Sequence, residues 1–413
     1  MKSARGFGLI TPGVTVLLFG MGVAAADPDP GPGADPSKAP FGKGIFGHVK
    51  PNRNQPPVPE DLEWALKSPY IAGVQLGFNW MELEPEQGKY RWDFVEKCLV
   101  PCGNAGKKAW IEVITATCRD EKTGPQRTEG APEWIYQKGV PKIWKPGTGT
   151  FPVFWDKSYL KHWEDFVAVF AKKFDGDPRI EFVVVSGHSH GTEPVLASKH
   201  NEALRDQWMK AGLDAVIDDK GHLDGGRVYL DKAIKPTVDI FCRHFKKTPV
   251  ALQIHLTENG WKKELIDYGC EKKLLLLRNA LNVRVGGKTR ASYADLCGSH
   301  DIKFGWSEFG GSVPREADRG KKQEYADERI GRQSDTTGTK KKASGKEKKI
   351  EEDMSTKVKT LDLYKAGIGD DSDPDFKSLS RASYMPLAEW LPELETRQEY
   401  DAALKWAHEH LVK

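Results

Sequence analysis

The stretch FVVVSGHSHGTEP, residues 182–194, is an apolar run followed by glycines, polar residues and a glutamate. A short apolar run bounded by turn-forming residues is typical of a strand that is buried on both faces, as in a parallel sheet. The stretch IKFGWSEFGG, residues 302–311, repeats this order. The two stretches therefore predict two buried strands, each of which is followed closely by a glutamate, Glu193 or Glu308.

The rest of the chain alternates between short apolar runs and longer amphipathic stretches, an order that indicates parallel strands joined by crossover helices. Apolar residues at helical spacing predict helices over residues 159–174, 229–245 and 400–411, the last of which would close a ring. The apolar runs predict eight strands, over residues 44–49, 72–78, 108–114, 180–185, 250–256, 274–277, 302–306 and 384–390. The sequence therefore predicts the α/β class, as a (β/α)8 TIM barrel whose active site lies at the C-terminal ends of its strands.

Residues 1–26 have the composition of a secretory signal peptide. A short basic start precedes a largely apolar stretch, and Ala24, Ala25 and Ala26 supply the small residues of a cleavage position. A membrane anchor is the alternative, but a spanning helix needs about 20 apolar residues, and Pro12 and several glycines interrupt this stretch. We expect an exported protein, periplasmic or secreted, with no stable membrane insertion after the signal is removed.

Two further segments differ in composition from the predicted barrel domain, residues 44–413. Residues 27–43 are rich in Pro, Gly and Asp, which predicts a flexible linker. Residues 314–380 are strongly charged and contain few large apolar side chains before Leu361. Because such a composition buries too little apolar surface to fold alone, we expect a charged, partly disordered insertion between strands seven and eight, with one or two helices. A lid or docking arm above the site is the functional alternative.

The overall composition bears on partners and on cysteine pairing. The formal net charge of the 413 residues is +3, so nothing indicates a nucleic-acid partner. The six cysteines show no repeated Cys-x-x-Cys spacing, and in an exported protein they are candidates for disulfide pairing. Cys98 and Cys102 lie close in sequence, but no pairing is fixed by the sequence. Nothing in it indicates an oligomeric state.

Two carboxylates at strand ends are the minimum apparatus for cleaving a glycosidic bond with retention. Retaining glycosidases place the two carboxyl groups about 5 to 5.5 Å apart, one as nucleophile and the other as acid and then base. Strands four and seven face each other across the mouth of an eight-stranded barrel, so Glu193 and Glu308 could meet there. For each residue the alternative is a solvated loop carboxylate or a helix-capping partner.

Three motifs support this assignment. They are LGFNWMELEPEQGKYRWDFVEK at residues 76–97, APEWIYQKGVP at residues 131–141 together with the stretch at residues 152–187, and GWSEFGG at residues 305–311. Together they resemble the large clan of (β/α)8 glycoside hydrolases that includes β-galactosidases, β-mannanases and many cellulases. The resemblance extends from about residue 44 to residue 411, apart from the charged insertion, and indicates a divergent member.

The resemblance implies roles for the two glutamates. By it, Glu308 is the nucleophile, Glu193 is the acid/base, the substrate is an oligosaccharide or polysaccharide with a β-linkage, and no cofactor is needed. The chain departs from the clan directly before Glu193, where the clan usually has an Asn that holds a sugar hydroxyl and this sequence has Thr192. A Thr hydroxyl lacks the paired donor and acceptor of an amide. A barrel that binds carbohydrate without cleaving it is therefore the alternative.

Other residues at or near predicted strand ends are candidates for binding substrate. Tryptophan faces stack on the apolar faces of sugar rings, and histidine or amide groups bond sugar hydroxyls. The alternative is that the tryptophans seal the top of the core and that the histidines are structural. The candidates are Trp80, His188, His190, His255, Asn279, Trp306 and Trp390, with Arg278 as a weaker one.

Two groups of residues have competing interpretations. His188 and His190 have a spacing that metal ligands use, so a metal-dependent barrel hydrolase is a further alternative. Strand one, where such enzymes carry their His pair, has only His48, and we therefore assign no metal ligands. The glutamates of the strand-two motif, Glu82, Glu84 and Glu86, are predicted to be turn and surface residues, with Glu82 able to reach the rim.

Overall fold

Every described residue lies within Asp35–Lys413, the larger of the two units into which the chain divides. The computed structural model describes residues 43–49, 56–116, 130–145, 149–189, 191–194, 196, 202–214, 216–217, 223–224, 226–254, 261–278, 297, 300, 302–306, 359–372, 382–386 and 396–412. Within these ranges none of the helices has the length and apolar character that crossing a membrane requires. The predicted signal peptide, residues 1–26, and the linker up to residue 42 lie outside the described residues.

Eight parallel strands close into a barrel in the order in which they follow one another along the chain. Each strand pairs with its predecessor and successor, and the last strand pairs with the first, Gly44 opposite Tyr384. The strands are β1 (Gly44–Val49), β2 (Ile71–Asn79), β3 (Lys108–Ile114), β4 (Ile180–Val184), β5 (Val250–Ile254), β6 (Leu275–Arg278), β7 (Phe304–Trp306) and β8 (Tyr384–Pro386). The predicted barrel is confirmed.

The strand bounds agree with the predictions to within two residues wherever both can be compared. β1 and β3 have the predicted bounds, whereas β7 begins at Phe304, two residues later than predicted. The apolar run includes residues that precede the hydrogen-bonded part of the strand, so the run is longer than the strand itself. The predicted ends of strands five and eight, residues 255–256 and 387–390, lie outside the described residues.

Helices connect the strands on the outside of the barrel. They are α1 (Glu63–Lys67), α2 (Trp80–Leu83), α3 (Asp93–Asn104), α4 (Glu133–Gln137), α5 (Lys157–Phe174), α6 (Glu202–Lys210), α7 (Gly226–Tyr229), α8 (Lys235–His244), α9 (Trp261–Glu271), α10 (Thr360–Ile368) and α11 (Arg397–Val412). A 3₁₀ turn, Pro59–Leu62, precedes α1, and a π-helical segment, Leu230–Ile234, joins α7 to α8. Two small hairpins stand apart from the barrel, Lys142–Lys145 with Gly149–Pro152 and Val216–Ile217 with Leu223–Asp224.

The fifth helix, α5, illustrates how the sequence sets a helix boundary. It begins at Lys157, two residues before the predicted start, because Asp156 caps it: the carboxylate accepts the backbone N–H groups of Ser158 at 2.9 Å and Tyr159 at 3.0 Å. Its apolar face, which includes Trp163 and Phe166, is buried against the barrel. The buried residues are those whose helical spacing predicted the helix.

The charged segment between β7 and β8 contains α10, which is the crossover helix of that unit. Leu363 and Tyr364 are buried, at 2% and 0% exposure, and α10 packs on α11. An ion pair between Lys359 Nζ and Glu399 Oε1, at 2.6 Å, joins the start of α10 to α11. A helix inside this segment was expected. Residues 314–358 and 373–380 lie outside the described residues.

The barrel interior has an aromatic floor. The rings of Phe46 and Trp110 stack with 5.3 Å between centroids, Phe182 lies 4.9 Å from Trp110, and Tyr384 lies 5.2 Å from Phe182. Below this floor, at the N-terminal ends of the strands, Glu181 accepts a hydrogen bond from the Tyr384 hydroxyl at 2.8 Å. This end of the barrel is therefore filled and tied together, as expected of the end that contributes stability.

Five of the six cysteines lie in the described part of the chain, and all five are free thiols. They are Cys98, Cys102, Cys242, Cys270 and Cys297. Burial raises the pKa of the Cys98 and Cys297 thiols to about 12, so both remain protonated at neutral pH. Cys98 and Cys102 thus serve as small apolar side chains on α3.

Candidate active site

A layer of polar side chains lies inside the barrel, from the level of the aromatic floor, where Gln75 is opposite Trp110, to the C-terminal ends of the strands. On β2, Leu76 and Phe78 are buried in the core between strands and helices, so the intervening residues Gln75, Gly77 and Asn79 face the interior. The same alternation directs Glu112 of β3 inward, between Ile111 and Val113, and directs Gln253 of β5 inward, between Leu252 and Ile254. The inward polar side chains are nearly buried, with exposures of 3% for Gln75, 8% for Asn79, 8% for Glu112 and 4% for Gln253.

Thr192 joins two of these strands. Its Oγ1 lies 3.3 Å from Glu112 Oε2 and is also hydrogen-bonded to the side-chain amide of Gln253. Both contacts are to acceptor oxygens, Glu112 Oε2 and Gln253 Oε1, and the single hydroxyl hydrogen of Thr192 serves one of them at a time. The chain that leaves β4 therefore folds back over the barrel interior and brings Thr192 onto the side chains of β3 and β5.

The segment between β4 and Glu193 is held at several points. Trp163 Nε1 donates to the Ser186 carbonyl at 3.2 Å, and the Tyr159 hydroxyl donates to the Gly187 carbonyl at 2.8 Å. Thr115 Oγ1 donates to the Ser189 carbonyl at 2.9 Å. Donors from α5 and from the end of β3 thus fix the path of this segment.

Gly187 is required in the segment for two reasons. Its φ of +91° is in the left-handed region that favours glycine. An added Cβ would also lie 2.2 Å from Trp163 Nε1. Any side chain here would displace the indole that holds the segment.

Glu193 follows Thr192 at the barrel mouth and is partly exposed. It lies near Tyr229, a fully buried residue: burial first, then Tyr159 and the charge of Glu193, raise the pKa of the Tyr229 phenol well above its usual value. Glu308, the second predicted catalytic residue, lies outside the described residues.

Trp80 does not provide a sugar-binding surface, which corrects the sequence-based prediction. Its side chain is fully buried, lies 5.0 Å from the Trp163 ring and 5.9 Å from the Trp134 ring, and donates from Nε1 to Glu84 Oε2 at 2.9 Å. Trp80 begins α2 directly after β2, and from there its ring turns outward into the helix layer. It seals the core, which was the alternative interpretation.

Trp306 is likewise a core residue, and the prediction that it binds sugar is wrong. It is fully buried and shares the outward face of β7 with Phe304, whose ring centroid lies 5.4 Å away. The guanidinium of Arg278, on the neighbouring strand β6, lies 5.3 Å from the centre of the Trp306 ring. This arrangement is a cation–π contact within the protein.

His188 is also fully buried, and its Nδ1 lies 3.4 Å from Thr237 Oγ1 on α8. This position is between the barrel and a helix, which corresponds to a structural histidine, and it corrects the assignment of His188 to substrate binding. In the described ranges no group of three or more His, Cys, Asp or Glu residues is arranged to hold a metal ion. Four predicted substrate-binding residues lie outside the described residues: His190, His255, Asn279 and Trp390.

Two of the three glutamates of the strand-two motif are buried, although all three were predicted to be turn and surface residues. Glu82 and Glu84 are buried, at 6% and 3% exposure, whereas Glu86 is exposed and pairs with Lys89 at 2.6 Å. Glu82 Oε2 accepts the backbone N–H of Asn79 at 3.0 Å, and Glu84 Oε1 accepts that of Gly88 at 2.8 Å. Burial raises the pKa of the Glu84 carboxyl. Glu82 and Glu84 therefore shape the turn after β2.

Sequence reasoning missed the inward polar residues Gln75, Asn79, Glu112 and Gln253. A signal was present, because each lies between large apolar residues, as in WIEVI for Glu112 and ALQIH for Gln253. A polar residue at every second position of a buried strand indicates that one face lines a wet interior. The assignment from strand ends alone passed over this alternation.

Two of these side chains have a buried oxygen that needs a partner. Gln75 Oε1 and Asn79 Oδ1 make no hydrogen bond to any described residue. Buried polar atoms in proteins are almost always hydrogen-bonded, to protein, water or ligand. Each of these two oxygens is therefore an acceptor inside the barrel that a hydrogen-bond donor would stabilise.

No protein-family model and no curated protein matches this chain. Among solved structures, it is similar to the catalytic domain of β-amylase from Paenibacillus polymyxa, with 11% identity, a TM-score of 0.45 and coverage of 67% of this chain and 87% of the other. It is also similar to a β-galactosidase from the psychrophilic Marinomonas ef1, with 14% identity, a TM-score of 0.36 and coverage of 57% and 43%. An endo-1,4-β-xylanase from Caldicellulosiruptor owensensis has 14% identity, a TM-score of 0.37 and coverage of 65% and 70%.

The chain thus spans less than half of the β-galactosidase that it resembles. At these identities and TM-scores the similarities bear on neither substrate nor mechanism. The fold follows from the chain's own strand order: it is a closed (β/α)8 barrel.

Proposed function

We propose that this protein is a retaining glycoside hydrolase that cleaves a β-linked glycan or glycoside by double displacement. Glu193 would be the acid/base and Glu308 the nucleophile. The observation that supports the proposal is the contact of Thr192 with Glu112 and Gln253, because it holds the residue directly before Glu193 against side chains of the barrel interior, at the end where such barrels carry their active sites. Glu308 follows Trp306, the last residue of β7, by two positions in the sequence.

The proposed reaction has two steps. In the first, the Glu308 carboxylate attacks the anomeric carbon while Glu193 gives its proton to the leaving oxygen, and the glycosidic bond breaks. In the second, Glu193 takes a proton from water, the water oxygen attacks the anomeric carbon, and the bond to Glu308 breaks. Glu193 is then protonated again, and this chemistry requires no cofactor. The substrate class is an oligosaccharide or polysaccharide.

The first experiment measures cleavage of aryl β-glycosides by the wild type and by Glu193→Ala and Glu308→Ala variants. Removal of either carboxylate should lower kcat by at least about 10²-fold, since general acid–base catalysis alone contributes about 10² to 10⁴. Added azide should restore turnover with a different product in each variant. It replaces water in Glu193→Ala and gives a β-glycosyl azide, whereas in Glu308→Ala it attacks the substrate directly and gives an α-glycosyl azide.

The azide products distinguish the two roles from a loss of folding. A reversed pattern would exchange the roles of Glu193 and Glu308. Variants that cleave as fast as the wild type, or a wild type that cleaves no glycoside, would refute the catalytic proposal.

A carbohydrate-binding barrel without turnover is the second candidate, and Thr192 favours it. Because its hydroxyl is bonded to Glu112 and Gln253, it is already engaged at the position where the clan has a sugar-binding Asn. Calorimetric binding of oligosaccharides by a wild type that releases no product would support this candidate.

We also propose that the protein is exported. The basic and apolar start of residues 1–26 and the alanines before Asp27 support this proposal. Mass spectrometry of the mature protein should give an N-terminus at Asp27, whereas an intact Met1 on all of the protein would contradict it.

A further inference from the structure

We propose that Glu112 binds the hydroxyl groups of the substrate and thereby helps to select the sugar. This inference rests on the proposed function, which it makes more specific by naming a residue on β3 that recognises the glycosyl unit. The starting point is the position of Glu112, whose carboxylate faces the barrel interior at 8% exposure. None of the three motifs that indicated the glycoside hydrolase clan contains Glu112.

The carboxylate of Glu112 lies between two acceptor side chains. Gly77 is directly opposite Glu112 in the register of β2 and β3, and a Cβ built on Gly77 would lie 3.2 Å from Glu112 Oε1. Gln75 and Asn79 are the inward neighbours of Gly77, each about 6.5 Å away along the strand. By alternation along the strands, these two side chains and the Glu112 carboxylate face the same part of the barrel interior, and no described residue bonds Gln75 Oε1 or Asn79 Oδ1.

The side chains in this part of the interior suit a molecule with several adjacent donors. A carboxylate can accept about four hydrogen bonds, and Thr192 Oγ1 lies 3.3 Å from Glu112 Oε2. Gln75 Oε1 and Asn79 Oδ1 each need a donor as well. Neighbouring hydroxyls of a sugar ring offer donors at a spacing that a carboxylate can accept with both oxygens.

Glu112 is also linked to the proposed acid/base through Thr192. Thr192 contacts Glu112 and directly precedes Glu193, so a sugar bound to Glu112 would have its reacting bond near Glu193. Because the Thr192 side chain already holds this segment, we expect its partner Glu112, and not Thr192 itself, to bind the sugar hydroxyl. Glu112 would then replace the missing amide of the resembled clan.

The experiment compares Glu112→Gln with the wild type on pairs of substrates. The probes are 4-nitrophenyl β-glycosides of glucose, galactose, mannose and xylose, followed by monodeoxy analogues of whichever glycoside is cleaved. For the parent glycoside, Glu112→Gln should lower kcat/KM by about 10- to 100-fold, the usual range for a lost hydrogen bond to a charged group. For the analogue that lacks the contacted hydroxyl, the change should be less than about threefold.

Two further variants separate recognition from folding. Glu181→Gln removes the other inward glutamate, at the opposite end of the barrel, where it bonds Tyr384. It should lower thermal stability and affect parent and deoxy substrates equally. Gly77→Ala should push the Glu112 carboxylate aside by a few tenths of an ångström and raise KM for the parent glycoside without removing a charge.

Each outcome decides the inference. Equal losses on parent and deoxy substrates would show that Glu112 only supports the fold, and would overturn it. If the wild type cleaves none of the glycosides, the proposed reaction fails, and calorimetry with the corresponding free sugars and disaccharides becomes the readout. Binding that Glu112→Gln abolishes would still support recognition by Glu112, whereas an absence of binding would overturn both proposals. Stabilisation by Ca²⁺ instead of sugar, lost in Glu112→Gln, would identify a cation site and overturn the inference.

Discussion

Thr192 and its two partners determine how the site is built at the scale of single residues. The hydroxyl lies between a carboxylate of β3 and an amide of β5, and all three side chains are at most 8% exposed. Leaving a buried polar group without its partner costs about 1–3 kcal/mol. This small network therefore holds the segment that carries Glu193.

Thr192→Val tests the network because valine has nearly the shape of threonine and lacks the hydroxyl. We expect the free energy of unfolding to fall by about 1–3 kcal/mol. We also expect kcat/KM on an aryl β-glycoside to fall about tenfold, because the segment before Glu193 loses its anchor. Chemical denaturation and steady-state kinetics measure the two effects. Thr192→Ser is the matched control and should retain most of both properties, whereas a Val variant equal to the wild type would contradict the role of this hydroxyl.

At the scale of single residues, the sequence predicts a side chain's neighbourhood better than its direction. Trp80 and Trp306 do lie at strand ends, as predicted, but both rings turn into the helix layer. For Trp306 the direction of the side chain could have been predicted, since Phe304 lies two residues before it and therefore on the same face of β7. The direction of Trp80 could not have been predicted in this way. It is the first residue of α2, so the alternation of side chains along β2 does not apply to it.

At the scale of elements, the apolar runs predicted the strands well because every barrel strand is buried on both faces. β1 and β3 have their predicted bounds, and the helices at residues 157–174 and 397–412 contain the predicted ones. The return of the chain after β4 was not predictable in the same way. It depends on bonds from Tyr159, Trp163 and Thr115, which are distant in sequence from the carbonyls that they bind.

The helix α10 offers a test of electrostatics at its C-terminal end. Hydrogen bonds to the Asp370 carboxylate, first from Ser372 and then from Lys365, lower its pKa from the ordinary value of 3.8 to about 2. Because the pKa is lower in the folded state, the ionised carboxylate stabilises the protein above about pH 4. This contribution is lost as the pH falls through the folded-state value of about 2.

Asp370→Asn should therefore be less stable than the wild type near pH 6, and the difference should shrink as the pH approaches 2. Denaturation at a series of pH values measures it. The matched control is Asp371→Asn, which changes the exposed neighbouring aspartate. A difference between wild type and Asp370→Asn that is independent of pH would contradict this account.

At the scale of the whole molecule, the two ends of the barrel have different roles. The N-terminal end is filled by the aromatic floor and tied by Glu181, which bonds Tyr384 and pairs with Lys108 at 3.1 Å. The C-terminal end carries the polar layer with Glu112, and the segment that leads to Glu193. This division between a stabilising end and a functional end is the one expected of a (β/α)8 barrel.

Covalent trapping is the most direct test of the proposed mechanism. An activated 2-deoxy-2-fluoro β-glycoside of a sugar that the protein cleaves should form a long-lived ester with the nucleophile. The fluorine slows both steps of the reaction, but the activated leaving group keeps the first step fast, so the ester forms faster than it is hydrolysed. Peptide mapping by mass spectrometry should then find one 2-deoxy-2-fluoroglycosyl unit on the peptide that contains Glu308. Label on Glu112 or Glu193, or release of the leaving group without any labelled peptide, would contradict the proposal.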